Sequence, residues 1–75
     1  MNKRAHPPIL VLGNGGWGTA LAMTLHSNGP PVRVWGHDAA YCEEIEATRE
    51  NRKYLPGVKI PDGILFGVDI ATLAA

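Results

Sequence analysis

The chain has 75 residues, about half of a usual domain, which leaves room for one small core and excludes a cofactor domain and a substrate domain together. Seven basic and seven acidic side chains cancel, so no overall field points to nucleic acid or to a membrane surface. The charge is nonetheless uneven: from Met1 to His37 there are Lys3, Arg4 and Arg33 but no Asp or Glu, so this half would not repel a phosphate.

Residues 1–8 read as a polar leader ending in Pro7-Pro8, and Ile9 to Leu12 as a first strand, continuously apolar and therefore expected to be buried on both faces. Four apolar residues are too few for a secretion signal or a membrane span. The strand runs straight into Gly13-Asn14-Gly15-Gly16-Trp17-Gly18, a G-x-G-x-x-G run. Between a strand and a helix, such a run makes a dinucleotide-phosphate loop: Gly13 for the tight turn, Gly15 for close approach of a pyrophosphate, Gly18 for helix-to-strand packing. Asn14, Gly15, Gly16 and Trp17 would bind mainly through main-chain N–H groups at the helix N-terminus. Gly13 and Gly18 also fit the start of a nucleotide triphosphatase loop, but Thr19-Ala20 stands where that loop needs Lys followed by Ser or Thr.

Apolar or small residues at Trp17, Ala20, Leu21, Thr24 and Leu25 mark the expected inner stripe of the first helix, stopped by Asn28-Gly29 and Pro30-Pro31. Val32 to Trp35 reads as a second strand, joined to the first by a right-handed crossover. An acidic residue at its end would accept from the adenine-ribose hydroxyls and select NAD. Here the positions hold Gly36-His37. Asp38 reads as a helix cap rather than a ribose ligand, and His37 either stacks on adenine, attracts a 2′-phosphate, or is a solvent-exposed loop residue. NAD and NADP both stay open.

The second helix runs to about Arg49 with Tyr41, Ile45 and Thr48 expected inward, and Cys42 reads as a small packed side chain. A lone cysteine without a Cys or His partner at ligand spacing gives no disulfide and no metal site, which fits a reducing, cytoplasmic setting. Asn51 to Gly63 reads as loop, Ile64 to Phe66 as a short third strand, and Asp69 as the cap of a third helix cut off after about one and a half turns. The expected architecture is α/β: a partial β-α-β-α-β Rossmann unit spanning 9–75, with a short parallel sheet and a truncated third helix.

Three stretches carry a family resemblance: Leu12 to Leu21, Val34 to Asp38, and Glu50 to Pro61, the last with the specific run Tyr54-Leu55-Pro56-Gly57-Val58-Lys59-Ile60-Pro61. They resemble the N-terminal part of NAD(P)-dependent sn-glycerol-3-phosphate dehydrogenase. The resemblance implies hydride transfer between NAD(P)H and dihydroxyacetone phosphate for glycerophospholipid synthesis, with cofactor contacts at Gly16, Trp17 and His37. Gly16 replaces the family's usual Ser or Asn, and Pro30-Pro31 its commoner His-Glu. The family's catalytic lysines and substrate domain fall outside this sequence, and Lys53 and Lys59 are not those lysines. With no local acid–base pair, the chain is expected to be a fragment inactive by itself, a possible homo-oligomer lacking its C-terminal substrate domain. The alternative is a stand-alone, non-catalytic nucleotide-binding or interaction module.

Overall fold

The computed structural model describes residues 9–74; the expected polar leader, 1–8, lies outside them. The elements follow in strict alternation: β1 Ile9–Leu12, α1 Gly16–Ser27, β2 Val32–Trp35, α2 Ala39–Thr48, β3 Ile64–Gly67 and α3 Ile70–Ala74. The strands form one parallel sheet in the order β1-β2-β3. Ile9 stands opposite Val32 and Val32 opposite Ile64, so the three strands begin level and their C-terminal ends meet along one rim. Every connection from strand to helix leaves from that rim, which is where an open α/β sheet gathers its ligand-binding loops.

Helix ends are set by local chemistry. Gly29, at φ +110°, stops α1 in the left-handed region, and its N–H donates to the His26 carbonyl. Asp38 caps α2 by accepting from the Tyr41 N–H at 3.1 Å. Asp69 does the same for α3, accepting from the N–H groups of Ala71 and Thr72 and from the Thr72 hydroxyl. The Thr72 bonds hold the Asp69 carboxyl below its ordinary pKa, so this cap is complete at neutral pH and is lost as pH falls through that lowered value. At the far end of α2, Arg49 adopts φ +56°, unusual for a residue with a side chain. Its guanidinium compensates by donating to the carbonyls of Ile60, Pro61 and Ile64 and pairing with Glu46.

The core lies between one face of the sheet and the helices α1 and α2, and joins Val11, Val32, Val34, Ile64 and Phe66 to Ala22, Cys42, Ile45 and Ile60. Three sequence expectations change here. β1, expected to be buried on both faces, is buried only at Val11, with Leu12 67% exposed, since among the described residues it pairs with β2 alone. α1 buries Thr19 and Ala22, whereas Trp17 and Leu21 are exposed; they belong to the flank of the helix that overhangs the open side of β1. α2 buries Cys42 and Ile45 and leaves Thr48 exposed, its hydroxyl bonded to the Glu44 carbonyl of its own helix.

The two sheet edges differ. On β3 the Phe66 N–H faces away from β2 and is taken by the Glu46 carboxylate at 2.6 Å. On β1 the outer side is an apolar groove shared with Gly15, Trp17, Leu21 and Leu25. The segment between α2 and β3, expected to be plain loop, enters the core through Ile60, which has no solvent exposure and whose N–H donates to the Arg49 carbonyl. Ile60→Ala is therefore expected to cost about 3 kcal/mol, the value for a buried Ile in regular structure. Urea unfolding measures it, and a loss below about 1 kcal/mol would show that this segment does not close the core.

Candidate dinucleotide-binding site

The glycine loop leaves β1 through Gly13, whose φ of +117° no ordinary side chain tolerates well. Its N–H donates to the Trp35 carbonyl at 2.7 Å, fastening the turn to the end of β2. The chain then enters α1 with Gly15 as N-cap, and the first helical bond runs from the Thr19 N–H to the Gly15 carbonyl. The preceding N–H groups, from Gly15 to Gly18, belong to the turn that a helix cannot satisfy internally. No side chain caps them and the first turn holds no acid, so the rim carries unscreened positive potential.

The glycines are glycine for different reasons. A Cβ on Gly18 would collide with the Gly13 carbonyl oxygen, so this residue lets helix and strand close on each other. A Cβ on Gly16 would come within 2.6 Å of the Tyr54 carbonyl oxygen, so the 51–57 segment lies against the loop. Gly15 has ordinary extended dihedrals, φ −69° and ψ −179°, and open space where a Cβ would be.

Asn14 turns inward. Its side chain is nearly buried, lies under Gly36 and donates to the Cys42 sulfur at 3.8 Å. This contact explains Gly36, a residue sequence reasoning treated only as a missing carboxylate: any side chain there would strike the Asn14 amide and Cys42. The Cys42 thiol is buried, and that desolvation raises its pKa, which marks a packed neutral thiol rather than a nucleophile.

Behind the loop stands Asn51, which sequence reasoning placed in a loop without a role. It has no solvent exposure. Its Nδ2 donates to the Asn14 carbonyl at 2.7 Å and to Thr19 Oγ1 at 2.9 Å, while its Oδ1 accepts from the Tyr41 hydroxyl and from the Tyr54 N–H. Thr19 in turn donates to the Asn14 carbonyl. One amide thus joins the glycine loop, α1, α2 and the 51–55 turn. No sequence signal distinguishes such an asparagine from an exposed one, since its partners lie up to 37 positions away.

The remaining expected site residues are on the rim. Trp17 is 83% exposed at the loop, and His37 is exposed just past β2. Asp38 acts as the α2 cap, as its position suggested. Trp35, by contrast, points its indole N–H at the Val68 carbonyl, 2.8 Å away, and serves the sheet. His37 shares a pocket of about 140 Å³ with Asn14, Asp38, Tyr41, Lys53 and Tyr54. Among the described residues, no cluster of His, Cys, Asp and Glu could hold a metal ion, and no helix is long and apolar enough to cross a membrane.

The family model for the NAD-dependent glycerol-3-phosphate dehydrogenase N-terminus matches residues 8–75. The chain belongs to this family. Its similarity to glycerol-3-phosphate dehydrogenase [NAD(P)+] of Geobacillus kaustophilus is 56% identity over 57 residues, covering 76% of this chain and 17% of that protein. The corresponding enzyme of Chlorobium phaeobacteroides is 52% identical over 62 residues, or 83% and 19%. The crystal structure of glycerol-3-phosphate dehydrogenase from Coxiella burnetii superimposes with a TM-score of 0.81 at 36% identity, over 88% of this chain and 20% of that one. The chain therefore spans about a fifth of the length of these dehydrogenases, and that fifth is their N-terminal, partial Rossmann portion.

Within this dehydrogenase portion, Asn51→Ala is expected to lower the unfolding free energy by about 3 kcal/mol, because it leaves buried partners without hydrogen bonds. Amide exchange should show the loop opening first, with protection lost at Thr19 and Tyr54. Unchanged protection at both would mean the amide does not hold the loop.

Proposed function

We propose that residues Gly13, Asn14, Gly15, Gly16, Trp17, Gly18 and His37 form the cofactor site of a glycerol-3-phosphate dehydrogenase, with NAD or NADP bound across the rim of the sheet. The carrying observation is Gly15. Its backbone needs no glycine and its missing Cβ meets no protein atom. The feature that calls for glycine there is close approach from outside, and a pyrophosphate on the free N–H groups of the first turn supplies it. Asn14 contributes its main chain, since its side chain is committed inward. Trp17 flanks the loop and His37 receives the adenosine end.

When bound, the nicotinamide would give up or accept the hydride exchanged with dihydroxyacetone phosphate, making this activity one of glycerophospholipid synthesis. The chain's own part is to hold the pyrophosphate and fix the direction of the dinucleotide along the rim. Proton transfer and substrate recognition belong to a C-terminal substrate domain in the remaining length of the relatives. That reading also covers the full protein as a cytoplasmic enzyme and as a homo-oligomer.

Gly15→Val separates this function from stability. Valine fits the dihedrals and the open space, and the N-cap change costs less than about 1 kcal/mol. NADH or NADPH should quench the emission of the exposed Trp17 in the wild-type chain, and the variant should lose this response while keeping its thermal midpoint within about 5 °C. An unaltered titration in the variant would overturn the assignment of the loop.

A further inference from the structure

We infer that Lys53 is a specificity-determining residue of the adenosine end, holding a phosphate on the ribose 2′-oxygen so that the chain takes NADP in preference to NAD. This rests on the dinucleotide reading above and concerns the part of the site that the glycine loop does not reach.

The pocket beside the end of β2 lies where a dinucleotide on this rim would place its adenosine ribose. Its charged and titratable lining decides what fits. Asp38 is the carboxylate in it, and its Oδ1 is already used as the α2 cap. A 2′-phosphate would face that negative charge and would be rejected unless cations opposed it. His37 and Lys53 line the same pocket. Among the described residues the Lys53 ammonium has no carboxylate within salt-bridge distance; it lies 5.3 Å from the centre of the Tyr54 ring and 6.0 Å from that of Tyr41.

Two observations separate Lys53 from an ordinary surface lysine. Its backbone N–H donates to the Tyr41 hydroxyl at 3.0 Å, and that hydroxyl donates to Asn51. The chain that bears the ammonium is thereby tied to the same buried amide that grips the Asn14 carbonyl of the glycine loop. The two tyrosine rings, set edge to face at 81° with centres 6.3 Å apart, both lie beneath the ammonium and favour its position over them. A cation held beside the end of β2 senses whether a third phosphate, on the ribose, accompanies the pyrophosphate. A free ribose hydroxyl can accept only a single neutral-acceptor hydrogen bond from the ammonium, weaker than the charge-paired bond that a phosphate makes.

The test titrates the chain with NADPH and NADH by calorimetry, and with 2′,5′-ADP and 5′-ADP by amide NMR, for wild type, Lys53→Met and Lys53→Arg. In Lys53→Met the NADPH-to-NADH affinity ratio should fall about tenfold, the scale of one lost charge-assisted bond, and Lys53→Arg should restore most of it. In wild type, 2′,5′-ADP should shift the amides of His37, Tyr41 and Lys53 beyond the shifts given by 5′-ADP. If Lys53→Met weakens both dinucleotides equally, the ammonium reads the pyrophosphate and the inference fails. An unchanged ratio with unchanged affinities overturns it as well. If wild type binds neither dinucleotide, the reading of the glycine loop fails first and this inference falls with it, so the two failures are distinguishable.

Discussion

The Asn51 side chain lies in a space closed to water, with both N–H donors and both acceptor sites of its amide in use. Inside a protein such a group is stable only while every partner stays in place, because each unmet bond carries the full cost of desolvation. The position of the Asn14 carbonyl, the start of α1 at Thr19, the tilt of Tyr41 and the path of the 51–55 turn are consequently set together. Turning the amide over would bring its oxygen against the Asn14 carbonyl, so the network also fixes the amide's own orientation. The glycine loop, made of residues with little conformational preference, borrows its definition from this neighbour.

Steric contacts finish what the amide begins. Gly18 meets the Gly13 carbonyl, Gly36 meets Asn14 and Cys42, and Gly16 meets the Tyr54 carbonyl. Each contact is a place where the backbone of one element lies against the next at a separation only glycine permits. Gly15 stands among them with no such neighbour. That contrast turns a glycine-rich run from a turn signal into a binding surface.

The strand–glycine loop–helix–strand order was legible because it depends on local signals: an apolar run, a motif, Asn28-Gly29 as a stop and Asp38 as a cap. The same holds for Asp69 and α3. What stayed hidden depends on sheet position and distant pairing. Ile9 to Leu12 reads as a strand buried on both faces, yet among the described residues it is buried only at Val11 and pairs on one side, and a continuous apolar run does not show which strands stand beside it. Trp17 and Leu21 read as inward for the same reason: they lie on the side where the sheet stops. Asn51, Gly36 and Ile60 gave no signal because their roles come from partners far along the chain. The run from Tyr54 to Pro61 was distinctive enough to mark the family, and the structure supplies a physical reason for its neighbourhood, since Tyr54 and Asn51 are the turn that braces the loop.

The carboxylate of Glu46 on the Phe66 N–H has a consequence for growth of the sheet. A strand can add to a parallel sheet only where N–H and C=O groups are free. On β3 the acid occupies the donor that a newcomer would need, whereas on β1 the backbone and the apolar groove beside it stay open. The sheet is thus a one-ended template. A further strand laid parallel to β1 would register against Ile9 to Leu12, and its C-terminal end would arrive next to Gly13 and Trp17, on the opposite flank of the phosphate loop from Lys53.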